Sequence, residues 1–178
     1  MNLGFLVVRG LYDVNNHTKD IPNLLEYFRE LTGKDDRLTP GAPAFYNNIE
    51  LNKTHIRLLP KIEKLTDYKL YPTYNYSRKY NAISMLAPHK DRPACEVSVT
   101  MNLGYDGDYS WPIWITGSDD KDYEVILEPG DGLIYMGCEL THWRQEADKR
   151  VKYQAQGFFH YVNQDGPYAD CIFDNIKS

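Results

Sequence analysis

The chain of 178 residues has the length of one ordinary domain, large enough for a hydrophobic core but short for two. Hydrophobic residues make up 42% of it and charged residues 25%, as in globular proteins, which excludes a disordered chain, a collagen-like repeat and a coiled coil. The net charge is −5 and no cluster of basic residues occurs, so we expect neither a nucleic acid nor a membrane as partner.

Cysteine usage and hydropathy indicate the compartment. Cys95, Cys138 and Cys171 are odd in number and show no CxxC spacing, so the sequence predicts neither a disulfide framework nor a cysteine zinc site. The apolar start, Leu3 to Val8, has no basic region before it, and no run of about 18 apolar residues occurs. We therefore expect an intracellular, cytoplasmic protein.

The first 67 residues predict one strand and two helices. Phe5 to Arg9 has the composition of a strand, and a helix is predicted from Asp20, a plausible N-cap residue, to Gly33. A loop rich in proline and glycine follows. Beyond the loop, a second helix is predicted, with Pro60 kinking it or delaying its start. Its apolar face is formed by Leu51, His55, Leu58, Ile62 and Leu65.

From Tyr68 onward the sequence predicts short β-strands. The 15 tyrosines and 10 prolines of the chain favour strands and tight turns over a helical bundle. We predict strands near residues 69–76, 83–88, 95–104, 112–116, 123–127, 132–136 and 151–162. Their spacing indicates a mostly β protein, an antiparallel double-sheet jelly roll with two N-terminal helices on one outer face. We predict a single domain, 1–178, with a helical flank at about 1–67 and a jelly-roll core at about 68–165.

A candidate metal site is formed by two histidines and one aspartate. His89 and Asp91 are separated by one residue on an extended segment, so both side chains point to the same side of it. A late strand adds His142 after the turn Pro129 to Gly132. Two imidazoles and one carboxylate on one side, with the other positions open, suit non-haem Fe(II). The remaining histidines are interpreted as structural: His17, His55 and His160.

A basic pair follows the second histidine. Arg150 and Lys152 share strand parity with Gln154 and Gln156, and Lys152 comes ten residues after His142. An inward cation at that position would bind a carboxylate deep in the barrel.

The order of these features, HxD, a Pro-Gly-Asp-Gly turn, His and a late cation, resembles the 2-oxoglutarate- and Fe(II)-dependent dioxygenases, above all their prolyl 4-hydroxylase branch. The likeness covers about 74–161 and implies a double-stranded β-helix (jelly roll, cupin-like) with flanking helices. It implies Fe(II) on His89, Asp91 and His142, with 2-oxoglutarate and O2 as cosubstrates. The resemblance also implies Lys152 on the far carboxylate of 2-oxoglutarate. Because the family often has a glycine before that cation and this chain has none, Arg150 and Arg144 remain alternatives.

Further contacts are predicted by resemblance and by strand parity. Members of the family often place a tyrosine hydroxyl on the cosubstrate carboxylate, for which Tyr80 is the first candidate and Tyr76 the second. Ser98, Thr100 and Asn102 alternate with apolar residues, so they face either the pocket, where Asn102 would contact the cosubstrate, or water. Arg144 is also a candidate substrate contact. Three tryptophans either fill the core or wall a substrate groove: Trp111, Trp114 and Trp143.

Two functions are compatible with these observations. The first is a dioxygenase that hydroxylates a C–H bond of a peptidyl (prolyl-type) or related small substrate. The second is a non-catalytic jelly-roll binding module of cupin or lectin type, with structural histidines. The late cation beside an intact triad favours the enzyme, because a carbohydrate-binding jelly roll does not need it. A base-repairing activity on nucleic acid is not expected at a net charge of −5.

Overall fold

The computed structural model describes residues 1–13, 34–36 and 39–176, which contain eleven strands and one α-helix, α1 (Asn52–Thr66). In chain order the strands are β1 (Phe5–Val8), β2 (Lys34–Asp36), β3 (Thr39–Tyr46), β4 (Leu70–Tyr80), β5 (Leu86–His89), β6 (Val97–Asp106), β7 (Ile113–Thr116), β8 (Asp122–Val125), β9 (Gly132–Met136), β10 (His142–Arg144) and β11 (Tyr153–Asn163). Short 3₁₀ segments occupy Ile49–Leu51, Pro93–Cys95 and Ala169–Ile176.

The strands form two antiparallel sheets. The major sheet has seven strands in the order β1-β9-β6-β11-β4-β3-β2, and the minor sheet has four in the order β5-β10-β7-β8. Strands β6 and β11 lie at the centre of the major sheet and are buried along almost their whole length. The antiparallel jelly roll predicted from the sequence is confirmed.

Three strands from the first 67 residues belong to the major sheet. The predicted strand at Phe5 is found as β1, which pairs with β9. The prediction of a loop rich in proline and glycine between the two helices was wrong, because β2 and β3 lie there and extend the sheet beyond β4. Pro40 and Pro43 are tolerated since the residue pairs between β3 and β4 run from Ala44 to Tyr46, beyond both prolines. The first predicted helix, 20–33, lies outside the described residues.

The second predicted helix is confirmed as α1. It begins at Asn52, so Pro60 does not delay its start, and it ends at Thr66, where the following Asp67 caps it with a φ of 61°. Leu58 and Ile62 are buried in one cluster with odd-numbered residues of the central strands: Val97, Val99, Met101, Phe159 and Tyr161. Because side chains alternate along a strand, the even-numbered residues of β6 and β11 point to the opposite face. No helix among the described residues is long and apolar enough to cross a membrane.

Candidate active site

A cavity of about 420 Å³ lies between the two sheets. Strands β4, β9 and β11 of the major sheet line one side of it, and β5, β7 and β10 of the minor sheet line the other. It lies on the face of the major sheet opposite α1, toward which the even-numbered residues of β11 point, including Phe158 and His160.

The three predicted metal ligands meet in this cavity. His89 ends β5 and His142 begins β10, and the two are direct partners in the antiparallel pair. Asp91 follows two residues after His89, and its Oδ1 lies 3.7 Å from Nε2 of His89 and 3.5 Å from Nε2 of His142. One ligand atom from each side chain lies within 4.8 Å of the other two. Strand pairing therefore brings together residues that are distant in sequence.

Each imidazole is held by its other ring nitrogen. Nδ1 of His89 is 2.9 Å from the carbonyl of Ala87, and Nδ1 of His142 is 3.1 Å from that of Leu140. A carbonyl only accepts, so both Nδ1 atoms carry the proton and both Nε2 atoms keep a lone pair. The Tyr135 hydroxyl lies 3.3 Å from Nε2 of His142. Histidines that bind metals are oriented in this way, by a hydrogen bond from the nitrogen that does not bind.

The Asp91 carboxylate is oriented by its neighbours. The Ser98 hydroxyl donates to Oδ2 at 2.8 Å, and the backbone N–H of Asp91 donates to the carbonyl of Gly137 at 2.8 Å. A Cβ at Gly137 would lie 2.5 Å from Oδ2 of Asp91 and 2.3 Å from the carbonyl oxygen of Cys95. Only glycine leaves room for the carboxylate here.

The charges of the cluster suit a divalent cation. Burial lowers the pKa of His89, and the neighbouring His142 lowers it further. Burial would raise the pKa of Asp91, but the neighbouring histidines and the hydrogen bond from Ser98 outweigh it, and the pKa is lowered. An anionic carboxylate thus faces a neutral imidazole. Two ligand atoms that each lie about 2.1 Å from a metal, at right angles to one another, are about 3.0 Å apart. The distances of 3.7 and 3.5 Å from Oδ1 of Asp91 to the two Nε2 atoms exceed this value by less than 1 Å, so small side-chain movements would allow all three atoms to bind one metal ion.

The two cations predicted first for the cosubstrate lie outside the cavity. Lys152 is exposed, and Arg150 is exposed and paired with Asp148 at 2.9 Å. The predicted inward orientation of Lys152 is not found, because β11 begins only at Tyr153. Lys152 belongs to the preceding turn, where its N–H donates to the carbonyl of Arg150.

Arg144, the third candidate, is buried beside the cavity. Its partner in β5 is Leu86, which lines the cavity, and directly opposed residues of a sheet share a face. The guanidinium packs over the rings of Tyr80 and Trp111, at 5.4 and 5.1 Å, and donates to the carbonyl of Trp111. Its Nε has no hydrogen-bond partner, and no carboxylate of the described residues pairs with it. A buried cation without an anion is costly, so this position favours an anionic ligand.

Both candidate tyrosines line the cavity. Tyr80 is buried between two guanidinium groups, with Arg78 at 5.9 Å and Arg144 at 5.4 Å from its ring. The Tyr76 hydroxyl accepts a hydrogen bond from Arg78 at 2.9 Å. Arg78 is itself buried and lines the cavity. Sequence analysis missed Arg78, although it shares strand parity with both tyrosines.

The polar residues of β6 face the interior rather than water. Ser98, Thr100 and Asn102 are fully buried, so solvent exposure was the wrong alternative. Asn102 does not line the cavity and bonds instead to the backbone of Leu127 and Gly104, at 2.5 and 2.9 Å. Its role is to hold a turn.

The tryptophans divide between core and surface. Trp111 is buried against Arg144. Trp114 and Trp143 are cross-strand partners whose rings stack 6.2 Å apart. Since Trp143 alternates with His142, this pair lies on the outer face of the minor sheet.

Comparison with known proteins supports the fold. No protein-family model matches the sequence, and no curated protein has significant sequence similarity to it. A prolyl-4-hydroxylase of Pseudomonas putida aligns over 89% of this chain and 92% of its own, with a TM-score of 0.67 and 13% identity. HygX of Streptomyces hygroscopicus, solved with nickel and 2-oxoglutarate, aligns over 92% and 84%, with a TM-score of 0.70 and 12% identity.

A third structure is a prolyl hydroxylase from Trichoplax adhaerens in complex with a peptide of the hypoxia inducible factor oxygen degradation domain. It aligns over 90% of this chain and 84% of its own, with a TM-score of 0.68 and 12% identity. The chain therefore has the fold of the 2-oxoglutarate oxygenases.

Proposed function

We propose that this protein is a 2-oxoglutarate- and O2-dependent non-haem Fe(II) dioxygenase. One observation carries the proposal. His89, Asp91 and His142 present two unprotonated Nε2 atoms and one carboxylate oxygen to a common point in the cavity. Three ligands on one side of a metal leave positions for an organic cosubstrate and dioxygen.

Bound Fe(II) would supply the oxidation of a substrate C–H bond to C–OH by O2, coupled to the conversion of 2-oxoglutarate into succinate and CO2. The carbonyls of Ala87 and Leu140 keep both imidazoles in the tautomer that binds a metal. Ser98 keeps one oxygen of Asp91 turned away from the metal position, and aromatic side chains around the cavity limit access of water.

The distal carboxylate of 2-oxoglutarate is assigned to the inner end of the cavity, where Arg144, Tyr80 and Arg78 meet. Arg144 lies two residues after His142 on the same face of β10, about 6.6 Å along the strand. This is close to the length of a five-carbon diacid bound to a metal at His142. The buried charge of Arg144 would gain the anion that it lacks, and Tyr80 and Arg78 would add donors.

The substrate is proposed to be a prolyl-type residue of a peptide, or a small molecule of similar size. A cavity of about 420 Å³ is at the lower end of ligand sites and holds the cosubstrate together with little more than one side chain. The outer lining includes the exposed side chains of Tyr46, Lys90 and Arg92, which can contact a larger body outside. Among the structural neighbours, the Trichoplax enzyme binds a peptide.

The metal assignment is tested by anaerobic Fe(II) titration, followed by succinate release on exposure to O2 with 2-oxoglutarate and a substrate panel. Replacing His89, Asp91 or His142 with Ala is expected to abolish iron binding and turnover while leaving the fold largely intact. Asp122→Ala is the matched control, because Asp122 is an exposed carboxylate on β8 that does not line the cavity. If the double variant His89→Ala with Asp91→Ala binds Fe(II) as tightly as the parent, the triad assignment is wrong.

The cosubstrate assignment is tested by the 2-oxoglutarate dependence of turnover. Arg144→Gln is expected to raise the required concentration about 100-fold or more while sparing iron, because a buried ion pair is lost. Arg78→Gln should raise the required 2-oxoglutarate concentration by a smaller factor. Lys152→Ala and Arg150→Ala are expected to behave as the parent, since both side chains are exposed. An increase for Lys152→Ala alone would return the role to Lys152, and no effect in any variant would favour the binding-module alternative.

A further inference from the structure

Behind Asp91 lies a buried chain of hydrogen bonds that the proposed chemistry does not use directly. Ser98 Oγ lies 2.8 Å from Oδ2 of Asp91, 3.0 Å from Nδ1 of His160 and 3.1 Å from the carbonyl oxygen of Cys95. Ser98 and His160 are cross-strand partners at the centre of the major sheet, on β6 and β11. The ligand Asp91 is thus connected to the most buried part of the fold.

The direction of these bonds follows from counting hydrogens. The Ser98 hydroxyl has one hydrogen, and its shortest contact is the charged acceptor, Asp91. Since that hydrogen is used, the contact with His160 requires the imidazole to donate from Nδ1. The chain therefore runs from His160 Nδ1–H to Ser98 Oγ–H to Oδ2 of Asp91. It leaves Oδ1, the oxygen nearest both Nε2 atoms, free of this contact.

His160, at the far end of this series of hydrogen bonds, is held in place as well. Nε2 of His55 donates to the carbonyl of His160 at 3.0 Å, and the Tyr74 ring packs on the His160 ring with centroids 4.6 Å apart. His160 is 5% exposed. The imidazole can therefore keep Ser98 in one rotamer, and a carboxylate held through Ser98 has little freedom to turn.

We propose that Ser98 and His160 are positioning residues that hold the Asp91 carboxylate with Oδ1 toward the metal position. This inference rests on the proposed function, because Asp91 must be a ligand for its orientation to matter. Outer partners of a metal ligand typically account for about 10- to 100-fold in metal affinity. Ser98→Ala is expected to weaken Fe(II) binding by about that factor, and His160→Leu by less, since it acts through Ser98.

The experiment measures anaerobic Fe(II) affinity, the Co(II) absorption spectrum and thermal unfolding of the metal-free protein. Variants are Ser98→Ala, His160→Leu, the double variant, and His160→Asn, whose amide nitrogen can donate from the position of Nδ1. Thr100→Val is the matched control, because Thr100 is buried two residues along the same face of β6 and bonds to Gln156 instead. Asp91→Ala reports on the proposed function itself.

Weaker metal binding and an altered Co(II) spectrum for Ser98→Ala, partial recovery in His160→Asn relative to His160→Leu, and a double variant no worse than Ser98→Ala would support the proposal. Thr100→Val should bind metal as the parent does. Parental affinity in Ser98→Ala, with binding lost in Asp91→Ala, would overturn the positioning role and leave the proposed function standing. Parental affinity in Asp91→Ala as well would remove the proposed function.

Discussion

The two ends of the cavity differ in how their charges are compensated. At the metal end, Asp91 lies between two imidazoles, accepts from Ser98 and donates its N–H to Gly137. Beside the inner end, the buried guanidinium of Arg144 packs on aromatic rings and hydrogen bonds to the Trp111 carbonyl and to Tyr80, while its Nε has no hydrogen-bond partner. At the metal end, protein groups compensate the charge of Asp91, whereas at the inner end no protein carboxylate of the described residues compensates the charge of Arg144.

This difference indicates that the two ends have different roles, metal positioning at one and binding of an anionic ligand at the other. Rigid positioning suits the metal end, because three ligands must converge before a metal binds. At the inner end, a buried charge that is costly without an anion would be stabilised by a bound carboxylate, which under the proposed function would favour diacids over uncharged molecules. Variants that crowd the metal end, unlike those that remove a ligand, should therefore destabilise both fold and site, whereas variants at the inner end should separate stability from binding.

The largest expected effect is at the metal end, in Gly137→Ala. The added Cβ would lie 2.3 Å from the carbonyl oxygen of Cys95 and 2.5 Å from Oδ2 of Asp91, so backbone or carboxylate must move. We expect a loss of about 4 kcal/mol in the free energy of unfolding, together with loss of metal binding. Urea unfolding and Fe(II) titration measure both. Gly166→Ala, whose added Cβ would come no closer than 3.0 Å to any neighbouring atom, controls for glycine replacement in general. A Gly137→Ala variant that keeps parental metal affinity would contradict the close approach.

The metal end could be predicted from sequence because its ligands follow a short motif, HxD, and a recognisable turn. One residue separates His89 from Asp91, so the sequence predicts both side chains on one side of an extended segment, and the turn before β9 predicts a following strand. In the structure β5 ends at His89, and the hydrogen bond from the N–H of Asp91 to the carbonyl of Gly137 positions Asp91 just beyond the strand. The major-sheet core was predictable for the same reason, since apolar alternation identifies β6 and β11.

The inner end was harder to predict because it depends on where strands begin and which strands pair. Parity put Lys152 inside the barrel, but β11 starts one residue later and parity has no meaning in the preceding turn. Arg144 became a strong candidate only when β10 was seen between β5 and β7, a pairing that no local pattern encodes. Strand β3 escaped prediction because pairing with β4 outweighs the low β-propensity of its prolines and glycine.

A second prediction concerns acid stability and the support of the metal end by His55. Burial lowers the pKa of His55 to about 4, against an opposing hydrogen bond to the carbonyl of His160. The unfolded chain takes up this proton near pH 6.5 and the folded chain only near pH 4, so stability falls as pH falls between these values. The loss from this one ring is about 3 kcal/mol across the window.

The measurement is urea unfolding of metal-free protein at intervals from pH 7 to pH 4, for the parent and for His55→Gln. The variant cannot take up that proton, so its stability should fall less over the window. Asp91, whose pKa is lowered, loses its charge below this range and does not complicate the comparison. Equal slopes for parent and variant would show that His55 is not kept neutral by the fold.

At the inner end, Arg144→Met is expected to change stability and binding in opposite directions. Replacing an unpaired buried charge with an apolar side chain of similar length should stabilise the ligand-free protein by about 2 kcal/mol. The carbonyl of Trp111 remains satisfied, because Gln154 also donates to it at 3.1 Å. The same variant should lose the stabilisation that 2-oxoglutarate gives to the parent in thermal unfolding. Lys152→Met, an exposed cation, is the control. A less stable ligand-free Arg144→Met would mean that the charge is compensated after all.

The smallest expected effect tests a surface next to the metal end. Trp143 follows the ligand His142 but stacks on Trp114 at the outer face of the minor sheet, 6.2 Å between centroids. A double-mutant cycle with both residues changed to Ala should give a coupling of about 1 kcal/mol in unfolding free energy, typical of an aromatic pair. Neither variant should change Fe(II) affinity or the 2-oxoglutarate dependence of turnover, because this face points away from the cavity. Trp114→Ala is the matched control, since it removes the same stack without touching the neighbour of a ligand. A change in substrate dependence in Trp143→Ala alone would make Trp143 a wall of the substrate groove and extend the metal end of the cavity to the outer face.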